Sequence, residues 1–410
     1  MRPSAAWKRV ASRAGPVQSR PVFEESNGAR VTQHQLWRRA ADSAIHYRDE
    51  VAEARQPPRG FEEILEQFRE ALPEAESEPG EVIDFLVRHA EPGLRAMTGP
   101  RFFGWVIGGS HPVGVAADWL TSAWGQNAGN HHAAPSAAAV EAVAAGWLLD
   151  LFDLPRASSV GFATGATAAN FVCLAAARGE VLRRAGWDVE AHGLFGAPPI
   201  TVVVGDDAHT TVFSALQFLG LGHDRVVRIK TDGNGCMDAG DFRRAASAAS
   251  GPLIAIAQAG QVNTGGFDPF REIIPAAHEA GGWVHVDSAF GLWARSSPSL
   301  RHLAEGIEKA DSWATDGHKW LQTPYDCGYA IVRDEPAHRR AMTIAASYLP
   351  PTAEGERDPT HYVLELSRRA RLCNLGRDQA SRAFGHRRDG RASLPRRAGY
   401  GGAACSRSVD

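Results

Sequence analysis

A lysine and an aspartate occupy the two positions of this sequence that are best suited to chemistry. Lys319 lies in the stretch 310–320, which reads A-D-S-W-A-T-D-G-H-K-W. Asp287 ends the run W-V-H-V-D, which begins at Trp283 and is followed by Ser-Ala. A short apolar run that ends in a carboxylate predicts a buried strand with an acid at its carboxyl end. Open α/β sheets bind their ligands at that end of the strands.

A buried Asp287 needs a cationic partner, because a lone buried carboxylate costs several kcal/mol or takes up a proton. A protonated pyridine nitrogen is one such partner. A lysine that forms a Schiff base and an aspartate that holds a pyridinium are the two requirements of pyridoxal phosphate chemistry. Taken singly, Lys319 would be read as a surface lysine and Asp287 as a helix cap. The joint occurrence of H-V-D-S-A and D-G-H-K-W favours the cofactor site.

A turn of small residues offers a place for a phosphate. The stretch 158–177 predicts a strand that ends near Ala163, then the turn T-G-A-T, then a helix rich in Ala and Leu. Helix N-termini present N–H groups without helical partners and the positive end of the helix dipole, which suits an anion. By itself, such a turn is more often a plain connection between a strand and a helix.

A histidine follows the predicted strand 200–204, in the stretch G-D-D-A-H that ends at His209. An imidazole at the exit of a strand can stack on an aromatic ring; a capping or core histidine is the alternative. A further predicted strand, Leu253–Gln258, leads into A-G-Q-V-N-T-G-G, which contains Gln261 and Thr264. Strands that alternate with helices in this way predict a mainly parallel sheet flanked by helices.

Together these motifs resemble the pyridoxal-dependent decarboxylase family, the group II amino-acid decarboxylases that include aromatic-amino-acid and glutamate decarboxylases. The resemblance covers roughly Arg39 to Arg371. It implies a large domain of fold type I, pyridoxal 5′-phosphate as cofactor, and decarboxylation of an L-amino acid through a Lys319 Schiff base. It implies that Asp287 holds the ring nitrogen and that His209 stacks on the ring. The other cofactor-binding residues that it implies are Thr164, Gly165, Ala166, Thr167, Thr264, Ala289 and His318.

The resemblance also implies residues that meet the substrate. Phe103 and Trp105, in G-P-R-F-F-G-W-V, match an aromatic segment that lines the substrate pocket in the family; ordinary core aromatics are the alternative. In aromatic-amino-acid decarboxylases, a mobile loop carries a tyrosine into the partner's active site, where it returns a proton to the substrate carbon. The polar stretch Thr352–Thr360 is interpreted as this loop. Pro359 aligns near the tyrosine, so Tyr362 is either catalytic or structural.

Other functions remain open at this point. Transamination or carbon–carbon lysis would use the same lysine and aspartate, although the family-type spacing of His209, Asp287 and Lys319 favours decarboxylation. Asn130-His131-His132 suggests a metal, but no third ligand has a helpful spacing, so we expect no metal. The net charge of −3 does not favour nucleic acid, and the absence of a long uncharged apolar run argues against a membrane span.

The 410 residues, 44% of them hydrophobic, suffice for a large domain and a smaller one. The scattered cysteines, without a C-x-x-C pair, fit a cytoplasmic protein. We predict a disordered segment at 1–35, an N-terminal helical arm at 36–98 and the large cofactor-binding domain at 99–345. Residues 346–371 form the mobile loop and the start of a C-terminal domain, and 372–410 a disordered tail foreign to the family. In the family the arm packs on a second subunit, which implies a homodimer with its active site at the interface.

The tail suggests a change of reading frame. From Leu372 onward the sequence is basic and has no helical apolar period. Written in GC-rich codons and read one base later, it yields F-A-T-W-A-A-I-K, which is similar to the family helix expected there. We therefore predict a frameshift near Arg371, which makes a cofactor-binding remnant with little activity an alternative function. An arginine-rich arm for nucleic acid is the less favoured interpretation of the same tail.

Overall fold

The structure, a computed structural model, describes residues 31–53, 57–343 and 357–372. By their contacts these residues form two compact units, which meet in sequence between Phe102 and Phe103. The predicted division between arm and large domain lies a few residues earlier. Most of the predicted N-terminal segment, most of the loop Thr352–Thr360 and nearly all of the predicted tail lie outside the described residues.

The first unit consists of helices. They are α1 (Gln33–Glu50), α2 (Phe61–Phe68) and α3 (Pro79–Ala90). Helix α1 begins at a capping box in which the Thr32 side chain accepts from the Gln35 N–H. Arg39 of α1 forms an ion pair with Asp84 of α3 at 3.1 Å. Within this unit the helices are therefore joined by polar as well as apolar contacts.

The second unit is a seven-stranded sheet with helices on both faces. The strands are β1 (Ser159–Ala163), β2 (Thr201–Gly205), β3 (Val226–Ile229), β4 (Leu253–Gln258), β5 (Trp283–Asp287), β6 (Ser312–Asp316) and β7 (Gly328–Val332). The helices are α4 (Pro112–Trp124), α5 (Pro135–Phe152), α6 (Ala166–Arg184), α7 (Val189–His192), α8 (Thr210–Phe218), α9 (Ala239–Ala248), α10 (Phe270–Glu279) and α11 (Glu335–Met342).

The strand order is β1-β7-β6-β5-β4-β2-β3. Strands β2 to β6 pair in parallel, and β7 runs antiparallel to both of its neighbours. One apolar cluster packs α6, α8 and α11 on one face of the sheet, and another packs α5, α9 and α10 on the opposite face. This arrangement confirms the predicted mainly parallel sheet flanked by helices.

Helix α5 is long and apolar enough to cross a membrane by length and composition alone, a property that it shares with the core helices of many soluble proteins. Its Leu148 and Phe152 are buried in the protein core. Its Glu141 is buried too and forms an ion pair with Arg368 at 2.6 Å. Packing inside the protein therefore accounts for part of the apolar composition of this helix.

The fold brings the chemically interesting segments together. Strands β1, β2, β4, β5 and β6 share one direction, so the residues that follow them emerge at the same edge of the sheet. Those residues include the turn after Ala163, His209 after β2 and Asp287 at the end of β5. After β6 the chain makes a single π-helical turn, Gly317–Leu321, which carries Lys319. Such turns occur often at functional sites.

Candidate active site

A cavity of about 290 Å³ lies at this edge of the sheet. Its volume is at the lower end of the range for small-molecule sites, roughly 300–1,000 Å³. The residues that line it are Trp105, Val106, Gly165, Ala166, Thr167, His209, Thr211, Gln258, Ala259, Gly260, Gln261, Val262, Gly265, Asp287, Ala289, Phe290, Asp316, His318 and Lys319. Predicted residues from the separate motifs thus meet in one place.

Lys319 enters the cavity beside a carboxylate. Its Nζ lies 3.1 Å from Asp316 Oδ2, and the Asp316 side chain is almost fully buried. The two residues are three positions apart, on the last residue of β6 and within the π-helical turn. The ion pair orients the amine and keeps it inside the cavity.

Asp287 forms a buried acid at the same cavity and is only 4% exposed. One oxygen accepts the Ala289 N–H at 3.3 Å, and the other accepts the Asn170 side-chain amide at 3.3 Å. Burial raises the pKa of Asp287, while its hydrogen bonds and its electrostatic interactions with His209 and Lys319 oppose that rise. A cation placed against this carboxylate would lower the cost of its charge.

His209 caps the start of α8. Its Nδ1 lies 2.9 Å from Thr211 Oγ1 and accepts the Thr211 N–H at 3.3 Å. These contacts fix the imidazole at the exit of β2, where it lines the cavity. The predicted capping role and the predicted ring-contact role are therefore compatible in this residue.

The small-residue turn contributes Gly165, Ala166 and Thr167 to the cavity at the start of α6. The Ala166 N–H donates to Asp316 Oδ1 at 2.6 Å, which differs from its predicted contact with a phosphate. Thr167 lines the cavity as well, and the first N–H groups of a helix have no partner within the helix. His318 lies 3.5 Å from the same Asp316 oxygen, and burial lowers its pKa.

Three of the predicted residues do not line the cavity. Thr164 is exposed and lies one residue before Gly165, the first residue of this turn that lines the cavity. The Thr264 hydroxyl donates to the Asn234 carbonyl at 2.5 Å. This hydrogen bond connects two loops, and Thr264 does not line the cavity. Phe103 is 65% exposed, whereas its neighbour Trp105 does line the cavity. The predicted roles of these three residues in binding are not supported by their positions.

Tyr362 also lies away from the cavity, which favours the structural alternative over the catalytic one. It is 3% exposed, and its hydroxyl donates to the Glu335 carboxylate of α11. Its carbonyl accepts from His338 Nε2 at 3.0 Å. Burial and the Glu335 hydrogen bond raise the pKa of Tyr362 to about 12. A phenol held in this way is a poor source of protons at neutral pH.

Three site residues were not anticipated from the sequence. Asp316 forms an ion pair with Lys319 and accepts the Ala166 N–H. Its position three residues before the lysine is the sequence feature that could have indicated the ion pair. Asn170 bonds Asp287 and is fully buried one turn into α6. His285, also fully buried, bonds Asn170 and precedes Asp287 by two residues in β5, which places both on one face of the strand.

The described residues contain no group of three or more metal-ligating side chains that could hold a metal ion. The histidine pair of the sequence has a different role. The His131 backbone N–H and ring both contact Asp358, at 2.9 Å and 2.6 Å. The Asn130 side chain accepts the Ala133 N–H at 2.8 Å. These residues fasten the segment before α5 to the chain near residue 358.

The residues of the cavity fit pyridoxal 5′-phosphate. Asp287 is a buried carboxylate whose raised pKa would be relieved by a protonated ring nitrogen. Lys319 offers an amine in the same cavity, and the start of α6 offers N–H donors for a phosphate. His209 presents a flat ring at the cavity wall. A carboxylate, an amine, a planar side chain and an anion site are the groups that this cofactor requires.

Comparison with known proteins agrees with this geometry. The aromatic-L-amino-acid decarboxylase of Bacillus atrophaeus is 28% identical over 319 residues, 76% of this chain and 64% of that relative. The phenylacetaldehyde synthase of a Rosa hybrid cultivar is 27% identical over 327 residues, 75% of this chain and 63% of that relative. The chain thus spans slightly less than two thirds of the length of these two relatives.

The crystal structure of Oryza sativa TDC with PLP and tryptamine matches with a TM-score of 0.78 at 25% identity. The match covers 88% of this chain and 76% of the chain in that crystal structure. This likeness confirms the predicted fold type I. The pyridoxal-dependent decarboxylase conserved domain matches residues 62–386, which extends past Arg371, where the frameshift is predicted. The chain belongs to the pyridoxal-dependent decarboxylase family, and pyridoxal 5′-phosphate is the cofactor for which its cavity is built.

Proposed function

We propose that this protein is a lyase that removes the α-carboxylate of an L-amino acid as carbon dioxide. The observation that carries the proposal is the meeting of Lys319, Asp287 and His209 at one cavity, in a chain of this family. The relatives named above support decarboxylation of amino acids as the reaction class. The chain spans only part of their length, so its own activity has to be measured in a product assay.

Three residues of the cavity, Lys319, Asp287 and His209, have separate roles in the proposed reaction. When bound, pyridoxal phosphate supplies an electron sink for the pair that remains on the α-carbon after carbon dioxide leaves. Lys319 would hold the cofactor covalently, and Asp287 would keep a proton at the ring nitrogen. His209 limits movement of the ring. The cavity is lined by several titratable groups, and Lys319 and His209 are two of them that can return a proton to the α-carbon.

The cavity wall favours a bulky apolar side chain on the substrate. Trp105 and Phe290 contribute aromatic surface, and Val106 and Val262 add aliphatic surface. Aromatic substrates gain from such walls through burial and ring packing. We therefore propose an aromatic or bulky amino acid as substrate.

A product assay with a panel of L-amino acids tests the proposal. The purified protein, supplied with pyridoxal phosphate, is expected to release carbon dioxide and the matching amine in equal amounts, fastest with an aromatic substrate. Because one relative is named a synthase of an aldehyde, aldehyde and keto acid are measured in the same reactions. Keto acid without carbon dioxide would contradict decarboxylation and identify transamination, the second reaction considered for this cofactor.

Replacement of Tyr362 by Phe separates its structural role from a catalytic one. The variant loses the buried hydrogen bond to the Glu335 carboxylate, so the free energy of unfolding should fall by about 1.5–3 kcal/mol, the range for a hydrogen bond to a charged group. Turnover per folded molecule should not change, because the hydroxyl is buried in its own chain and donates to Glu335. Denaturant unfolding and steady-state kinetics measure the two effects. A large loss of turnover with unchanged stability would restore the catalytic assignment.

We also propose that the working form is a homodimer, as in the predicted arrangement for the family. Helix α4 supports this, since Trp119, Leu120 and Trp124 are each more than 40% exposed on it. Contiguous exposed apolar side chains commonly mark a protein–protein interface. Light scattering after size-exclusion chromatography gives the mass of the species in solution.

A further inference from the structure

A single buried amide connects the two residues that flank the cofactor site. Asn170 of α6 is fully buried. Its Nδ2 lies 3.3 Å from Asp287 Oδ2 and 3.4 Å from Thr211 Oγ1. Thr211 Oγ1 in turn lies 2.9 Å from Nδ1 of His209. Asp287 and His209 are therefore joined through the side chains of Asn170 and Thr211.

The amide is held from its other side by a histidine. Asn170 Oδ1 lies 2.9 Å from His285 Nε2, and His285 Nδ1 lies 3.0 Å from Ser312 Oγ. The Trp283 indole N–H donates to the same Ser312 oxygen at 2.9 Å. All four residues are at most 1% exposed, so no solvent competes for these hydrogen bonds.

The chemistry of these groups determines the direction of each hydrogen bond. An indole only donates, so Ser312 Oγ accepts from Trp283 and is free to donate to His285 Nδ1. His285 then carries its proton on Nε2 and donates to Asn170 Oδ1. Burial lowers the pKa of His285 to about 3, so the ring stays neutral at neutral pH. With the proton on His285 Nε2, the amide nitrogen of Asn170 faces Asp287, as the 3.3 Å contact has it.

We propose that Asn170, oriented by neutral His285, is a positioning residue that presents its N–H to Asp287 and keeps this carboxylate ionised for the cofactor ring nitrogen. The inference rests on the cofactor site and not on which reaction follows. If the Asn170 amide were reversed, its oxygen would face an ionised carboxylate, which can only accept hydrogen bonds. The pKa of Asp287 would then rise, because the protonated acid could donate to that oxygen.

Several other groups act on Asp287, and the test must hold them constant. His209 at the start of α8 and Lys319 after β6 interact with it electrostatically and lower its pKa, and the Cys173 thiol of α6 lies near it. Asp268 lines a small neighbouring cavity together with Asp287. None of these residues is changed in the variants that break the hydrogen bonds of Asn170.

The position of the proton on His285 is the first test. In cofactor-free protein labelled with ¹⁵N-histidine, long-range ¹⁵N–¹H correlation distinguishes the two neutral forms of the ring, and the signal that disappears in His285→Gln identifies the residue. We expect a neutral ring with its proton on Nε2. A proton on Nδ1 would turn the Asn170 oxygen toward Asp287 and would overturn the proposal.

Cofactor affinity in variants is the second test, followed by absorbance or fluorescence during titration with pyridoxal phosphate at several pH values. Asn170→Ala and His285→Leu should each bind about 10- to 100-fold more weakly, the range seen when a buried hydrogen bond to a charged group is lost. The loss should be larger at low pH, because Asp287 then protonates more readily. His285→Gln retains an N–H for Asn170 and should bind nearly as well as the wild type.

Val181→Ala is the matched control, since Val181 is buried on the same helix as Asn170, packs in the apolar cluster on that face of the sheet and does not line the cavity. It should bind the cofactor like the wild type. Equal losses in His285→Gln and His285→Leu, or losses that do not vary with pH, would mean that the residues serve packing alone and would overturn the proposal. Neither readout requires turnover, so failure of the decarboxylation assay leaves this test intact.

Discussion

Lys319→Ala should abolish the visible absorption band of bound pyridoxal phosphate and lower turnover by on the order of 10³-fold or more, the scale expected when a covalent catalytic group is removed. The physical reason is that the amine of Lys319 enters the cavity beside Asp316, where it can reach the cofactor. Absorbance spectra of protein after dialysis against free cofactor, together with the product assay, measure both effects.

Lys319→Arg is the matched control for charge. A guanidinium can keep the ion pair with Asp316, but it stays protonated and cannot act as a nucleophile. It should therefore preserve folding and lose the band and the activity as Lys319→Ala does. A variant of either kind that keeps a band reducible by borohydride would show that another lysine anchors the cofactor.

Asp287→Asn should weaken cofactor binding by about 10- to 100-fold, because a charge-assisted hydrogen bond is worth about 1.5–3 kcal/mol and each 1.4 kcal/mol is a factor of ten. Turnover should fall by on the order of 10²-fold or more, as it does when a preorganised electrostatic partner is removed. Asparagine keeps the shape of the side chain and one acceptor oxygen, so it can accept from Asn170 or from the Ala289 N–H but not from both.

The same substitution should stabilise the cofactor-free protein. Burial raises the pKa of Asp287 in the folded state above its ordinary value, so the folded state binds the proton more tightly than the unfolded state does. The stability associated with Asp287 is therefore greatest at low pH and is lost as the pH rises through the folded-state pKa. Asparagine does not titrate, so above that pH the variant should melt at a higher temperature than the wild type.

Thermal unfolding of the cofactor-free proteins between pH 5 and pH 8, about the range in which most proteins are most stable, measures this effect. The combination of a more stable protein and a weaker cofactor site would identify Asp287 as a residue kept for function at a cost in stability. Unchanged cofactor affinity in the variant would contradict the assignment of Asp287 to the ring nitrogen.

The parts of the site that were predicted from sequence are those encoded locally. Asp287 ends a short strand, His209 follows one, and Lys319 lies in a compact motif, so each could be recognised from its neighbours. The mainly parallel sheet followed from the alternation of strands and helices, and it brings these three segments to one edge. Strand bounds such as Leu253–Gln258 agree because β-branched and apolar runs end at clear turns.

The remaining parts depend on contacts between distant segments. The hydrogen bond between the Ala166 N–H and Asp316 could not be predicted from sequence, because the two residues meet only when β1 and β6 lie in the same sheet. The hydrogen bond between Asn170 and His285 likewise joins α6 to β5. Tyr362 was left between two roles because its partner Glu335 lies on α11, which no local pattern connects to it.

The most direct test of the cofactor site is to reduce the loaded protein with borohydride and map the cofactor-derived mass by peptide sequencing in a mass spectrometer. The chain has four lysines, Lys8, Lys230, Lys309 and Lys319. Of the described lysines, Lys319 lines the cavity. We predict that the added mass appears on the peptide that contains Lys319 and on no other. Modification of Lys230, Lys309 or Lys8 instead, or the absence of any reducible attachment, would contradict the account.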